Sequence, residues 1–176
     1  MKARRFTRFG RAGHLMRKIA ESQRPLYELA QRDIRFWQAV RAEGLADADV
    51  VFYGIVGTIQ ILSAEKLGAA MDQEPLKSIF EKMKAIEDRE GLGPDEEFYP
   101  NGPDTPDDFK ALFREWQRIN QSIVVEVMRG YGEDELADLF LNDPDEFDRR
   151  YEAAEIVFTR QQKQAGDRET GIKNGA

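Results

Sequence analysis

The residues of this chain whose types and spacing could do chemistry are few, and they are carboxylates. Glu87 and Glu90 stand three apart, as do Glu135 and Asp138, and residues i and i+3 of a helix share a face. Two such pairs on neighbouring helices can hold magnesium, which takes carboxylate oxygens and water, so these four residues are the candidate centre of a carboxylate- and Mg-dependent all-α hydrolase. With 33 acids in 176 residues, however, such spacings arise by chance, and solvated helix ends are the simpler reading. The rest of the catalytic repertoire is missing. The single histidine, His14, lies far in sequence from any carboxylate cluster, so there is no Glu-x-x-His motif for a di-iron site and no conventional base for a serine triad. The absence of cysteine removes disulfides, zinc fingers and thiol nucleophiles. Gly91-Leu92-Gly93 is followed by Pro94 and three acids, which would repel a phosphate. No catalytic residue, metal site, cofactor or small-molecule ligand is expected.

The paired carboxylates superficially resemble the pattern of all-α nucleoside triphosphate pyrophosphatases. That likeness covers eight residues; the segment between the pairs is longer than in that family, and a Pro-rich loop falls inside it.

Charge is more informative than motif. Residues 1–24 carry eight Lys or Arg against Glu21, a net +7, while the whole chain is −7. The remainder therefore sums to −14. Within the arm, Phe6 and Phe9 interleave with Arg4, Arg5, Arg8 and Arg11, and Leu15, Met16 and Ile19 form a small apolar stripe around Arg17 and Lys18. Cations bind phosphate, anionic lipid or acidic protein, and aromatic rings stack on bases or sink into an interface. Arg4, Arg5, Phe6, Arg8, Phe9, Arg11, Arg17 and Lys18 are accordingly the candidate partner-binding residues. A second charged feature spans residues 133–155, with ten acids against Arg149 and Arg150. Helix capping and the helix dipole account for Asp143, Asp145 and Glu146, but not for all ten.

The elements that must position these groups are helices. Apolar residues recur at helical spacing from Pro25 until Gly44, from Val50 to Met71, from Pro75 to Gly91, from Thr105 to Gly130, from Glu133 to Leu141, and from Asp143 through Phe158. The Val50–Leu62 run, rich in Val and Ile, would also suit a buried strand, but no second strand pattern exists to pair with it; Gly54 and Gly57 would let a neighbouring helix approach. Thr105, Pro106 and Asp108 have capping-box spacing. Residues 91–106 hold three glycines and four prolines and form a loop near the middle of the chain. No apolar run reaches the ~18 residues of a membrane span, and Arg4-Arg5 lacks the apolar stretch of an export signal.

The expectation is an all-α, single-domain bundle of five to six helices: a basic arm (1–24), a helical domain (25–164) and a disordered tail (165–176). Functionally it is a soluble, cytoplasmic, non-catalytic interaction or assembly protein, contacting a protein partner or a second copy through its basic arm and acidic helical body. The first alternative is nucleic-acid or anionic-membrane binding through the arm.

Overall fold

The computed structural model describes residues 24–94 and 96–173. The candidate residues Arg4, Arg5, Phe6, Arg8, Phe9, Arg11, Arg17 and Lys18 lie outside them. The fold is all-α. Among the described residues there are six helices and no strand: α1 (Arg24–Glu43), α2 (Ala48–Ala70), α3 (Leu76–Arg89), α4 (Asp107–Gly130), α5 (Asp134–Asn142) and α6 (Pro144–Lys173). The Val/Ile-rich run is thus helical, as the lack of a pairing partner requires. By length and composition α2 could cross a membrane, but 61% of its most apolar stretch is buried against protein.

Residue contacts divide the chain into two compact units, with boundaries inside α1, α2 and α4. At 1.5 Å rise per residue α2 extends for about 35 Å, so its two parts can serve different cores, whereas α4 gives only its last turn, Val127–Gly130, to the second unit.

The first unit holds residues 63–126 and the start of α1. Leu76, Ile79, Met83 and Ile86 of α3 are all buried, the stripe their spacing dictates. They share a core with Leu67, Met71, Phe109 and Phe113. The Pro-rich loop folds back on this core: Phe98 is buried and meets Phe109 edge-on at 5.2 Å, while its neighbour Tyr99 is exposed. The Tyr99 carbonyl accepts hydrogen bonds from the Gly102 N–H at 3.0 Å and from the Thr105 hydroxyl. Thr105 is therefore engaged by its own loop instead of capping α4, which starts with Asp107 and Asp108 near its positive end.

The second unit holds residues 28–62 and the chain from Val127 onward. Ile34 of α1, Val56 and Ile59 of α2, and Met128 of α4 have almost no exposure. Aromatic contacts join α2 to α6: Phe52 lies 5.8 Å from Phe147, and Tyr53 stacks on Tyr151 at 5.3 Å and meets Phe158 at 4.7 Å. Two helix starts are capped as their sequences specify. Asp47 Oδ1 accepts from the Asp49 N–H at 2.8 Å, and Asp143 Oδ1 from the Glu146 N–H at 3.1 Å. The α1 periodicity places Leu29 inward, yet it is half exposed, as is Phe36. Helical backbone of α6 continues to Lys173. Eight of the ten residues 160–169 are strong helix formers, Gly166 and Asp167 being the exceptions, and backbone hydrogen bonding can continue without an apolar face.

Of the two glycines expected to admit a neighbour, only Gly54 does so. The Trp37 indole lies against it, and a β-carbon there would come within 2.6 Å of the ring nitrogen and closer still to ring carbons. Gly57 has open space at the same position. Gly54→Ala is expected to destabilise the protein by about 2 kcal/mol or more through overpacking, and Gly57→Ala to stabilise it by about 0.5–1 kcal/mol through helix propensity. Denaturant unfolding of the two variants measures both, and equal effects would contradict the assigned contact.

Candidate functional site

In the second unit, two glycine-terminated helices bring three polar side chains together. The end of α4 is a Schellman turn: Gly132, at φ 77°, donates its N–H to the Arg129 carbonyl at 3.0 Å, and the Glu133 N–H bonds the Met128 carbonyl at 2.9 Å. Helix α1 ends the same way at Gly44, φ 63°, with the Gly44 N–H on the Arg41 carbonyl and the Leu45 N–H on the Val40 carbonyl. A left-handed residue is required at both stops, and glycine takes it without penalty.

These turns hold Glu133 against Gln38 and Arg41, which are three apart on one face of α1. Arg41 grips the carboxylate with both arms of its guanidinium: Nη1 donates to Oε2 at 2.9 Å and Nη2 to Oε1 at 2.8 Å. Gln38 Nε2 donates to Oε1 at 2.8 Å and to the Tyr131 carbonyl at 2.7 Å. The Glu133 side chain is only 5% exposed, against 52% for Arg41. Burial alone would push the carboxyl pKa up; the hydrogen bonds from Arg41 and Gln38, with the Arg41 charge, outweigh it and hold the group below the ordinary carboxylate range. Glu133 is thus ionised and its acceptor sites engaged at neutral pH, which suits a structural anchor and not a proton donor.

Beside this anchor opens a cleft of about 680 Å³. Its floor is apolar, built from Val51, Phe52 and Ile55 of α2 with Leu136 and Leu139 of α5. Arg41, Glu133, Glu135 and Arg150 supply the charged lining. The Arg150 guanidinium lies 4.5 Å above the Phe52 ring, a cation–π contact. Its neighbour Arg149 pairs with Glu146 at 2.7 and 2.8 Å, whereas among the described residues Arg150 makes no ion pair. Nine of the ten acids in 133–155 lie at least partly in solvent. Seven of them, Asp134, Glu135, Asp143, Asp145, Asp148, Glu152 and Glu155, form no ion pair among the described residues.

The two pairs singled out by spacing lie in different units, and within each pair the two side chains have different surroundings. Glu87 is buried, while Glu90 is exposed and pairs with Arg89 at 2.8 Å; Arg89 also reaches Asp108 at 2.8 Å. Glu135 is exposed, and Asp138 pairs with Arg129 at 3.2 Å. The separation of Glu87 from Glu90 follows from the width of the buried stripe, which admits residue 87 beside Ile86 and leaves residue 90 outside it. Among the described residues no three acidic side chains converge to hold a metal ion. Glu87 is nevertheless unusual, since burial and then the nearby Glu97 carboxylate push its pKa up to about 7.

Sequence reasoning identified neither the role of Glu133 nor the cleft. The glycines at 44 and 132 announce the two turns, but the residues they bring together are 92 to 95 apart in sequence. Comparison with known proteins gives no match to a family model, a curated protein or a solved structure.

Removing the anchor carboxylate by Glu133→Ala is expected to cost about 1–2 kcal/mol, because Gln38 loses a partner in a part-buried setting while Arg41 remains in water. Equilibrium unfolding of the variant checks this. The two carboxyls should impose opposite pH dependences. The Glu133 contribution, from a depressed pKa, is present above the unfolded-state value and lost as pH falls through the folded one. Glu87 binds its proton more tightly when folded, so its contribution is present below its ordinary value of 4.5 and lost as pH rises towards about 7. Glu87→Gln is expected to remove that loss, worth on the order of 3 kcal/mol. Melting curves at about pH 5 and about pH 8 for variant and parent, with a difference that grows with pH, are the check.

Proposed function

We propose that this chain is a non-catalytic interaction protein whose second unit takes up an apolar side chain of a basic partner in the cleft beside Glu133. One observation carries the reading: the open cleft combines an apolar floor with Glu133 and Glu135, and residues of the acid-rich stretch 133–155 line it. Val51, Phe52, Ile55 and Leu136 of the floor are buried and Leu139 beside them is half-buried, so an aromatic or aliphatic group seated there covers the apolar edge they leave exposed, at about 25 cal/mol per Å² of apolar surface removed from water. The seven acids without ion pairs favour a cationic neighbour and accelerate its approach. The chemistry of the lining favours binding over turnover, since its carboxylate anchor is held ionised by three side-chain hydrogen bonds, and no nucleophile and base stand together on it.

The test is fluorescence anisotropy of the full-length protein with a labelled peptide in which Phe is flanked by Arg, its order unrelated to residues 1–23. Binding is expected to weaken steeply as salt rises and to fall about tenfold or more when the peptide Phe becomes Ala. Ala46→Trp, which fills the cleft from an exposed lining position, should have the same effect on the protein side. Binding that ignores both the peptide Phe and Ala46→Trp would refute the reading.

A further inference from the structure

The lining of the cleft and the composition of the arm are complementary, and that complementarity lies within one sequence. The cleft presents an apolar floor centred on Phe52 and Leu139, with Glu135 at its edge and further acids along α5 and α6. The arm offers Phe6 and Phe9, each flanked by arginine, in Arg4-Arg5-Phe6-Thr7-Arg8-Phe9-Gly10-Arg11. Its net charge of +7 faces a net −8 over residues 133–155. We infer that the occupant of the cleft is the N-terminal arm of a second copy of this chain, with Phe6 or Phe9 on the apolar floor and the neighbouring arginines over Glu135 and the acids of α5 and α6. This inference rests on the reading of the cleft as a partner-binding site and specifies the partner.

Reach permits it. Fourteen residues lie between Phe9 and the start of α1 at Arg24, a span of up to about 50 Å when extended, enough to arrive at a neighbouring molecule. The contact joins two different surfaces, arm to cleft, so it is heterologous and propagates or closes into a ring according to geometry. Of the two lining cations, Arg41 is paired with Glu133, whereas Arg150 has no ion pair among the described residues and opposes a basic visitor. It is held over Phe52 by a cation–π contact and by no ion pair among the described residues, so an incoming aromatic ring can share or displace it at small cost. Arg150 therefore tempers the association, and its charge sets the sign of the decisive measurement.

The experiment is sedimentation velocity of the full-length protein over a dilution series at low and moderate salt. Concentration-dependent growth in mass beyond the monomer, suppressed by salt, is expected. The Phe6→Ala/Phe9→Ala double variant and Ala46→Trp should each weaken association about tenfold or more. A mixture of the two should regain it, since one supplies an intact cleft and the other an intact arm. Arg150→Glu should strengthen it by about tenfold, because a charge reversal at the rim turns repulsion into attraction. A protein that stays monomeric at every concentration, association indifferent to Phe6 and Phe9, failure of the mixture to recover, or weakening by Arg150→Glu would each overturn the inference. If self-association fails while the unrelated Phe-bearing peptide still binds in the cleft, the interaction reading stands and only the identity of the partner is wrong; if neither occurs, both fall.

Discussion

The second unit is organised around one carboxylate. Glu133 closes the Schellman turn of α4 through its N–H, supplies the first carbonyl of α5 to the Ala137 N–H at 3.0 Å, and receives Arg41 and Gln38 of α1 through its side chain. Three helices thus have their relative positions set at a single residue. Because the side chain is engaged by α1, it does not cap α5, whose start is favoured instead by Asp134 and Glu135 near its positive end. A buried ion pair is weak as a source of net stability. Its value lies in specificity: a bidentate guanidinium and a fixed amide accept only one arrangement of the α1 and α4 ends.

That arrangement produces the cleft. With α1 stopped at Gly44 and α4 stopped at Gly132, neither helix continues across the apolar faces of α2 and α5, and Phe52 and Leu139 line a cleft that remains open. Aromatic packing elsewhere in the unit is dense: Phe147 touches both Phe52 and Phe140, at 5.8 and 5.1 Å. The floor is therefore supported from beneath and its surface is preformed, a condition that lowers the ordering cost of binding.

Helix existence and limits were largely legible in the sequence, because Pro25, Pro75, Pro106, Pro144 and the glycines at 44, 91 and 132 act locally. The loop at 91–106 was equally plain from composition. Periodicity failed where burial depends on which helix lies opposite: Leu29 has the spacing of a core residue but is half exposed, and Glu87 has the spacing of a surface acid yet is buried near Glu97. The division of α2 and α4 between two units left no local mark, since their apolar stripes are uninterrupted. Of the candidate site, the acidic stretch was visible and the cleft was not, because the cleft is made of gaps between helices and depends on contacts between residues almost a hundred positions apart.

The enclosed carboxyl on α3 has a calorimetric consequence. Between its ordinary value of 4.5 and its raised value of about 7, Glu87 carries a proton in the folded chain that water would remove from the unfolded one. Folding in that interval therefore draws a proton from the buffer, and unfolding returns close to one. The apparent heat of unfolding should vary with the ionisation enthalpy of the buffer chosen, and the folded protein is correspondingly less negative near neutrality than its composition implies.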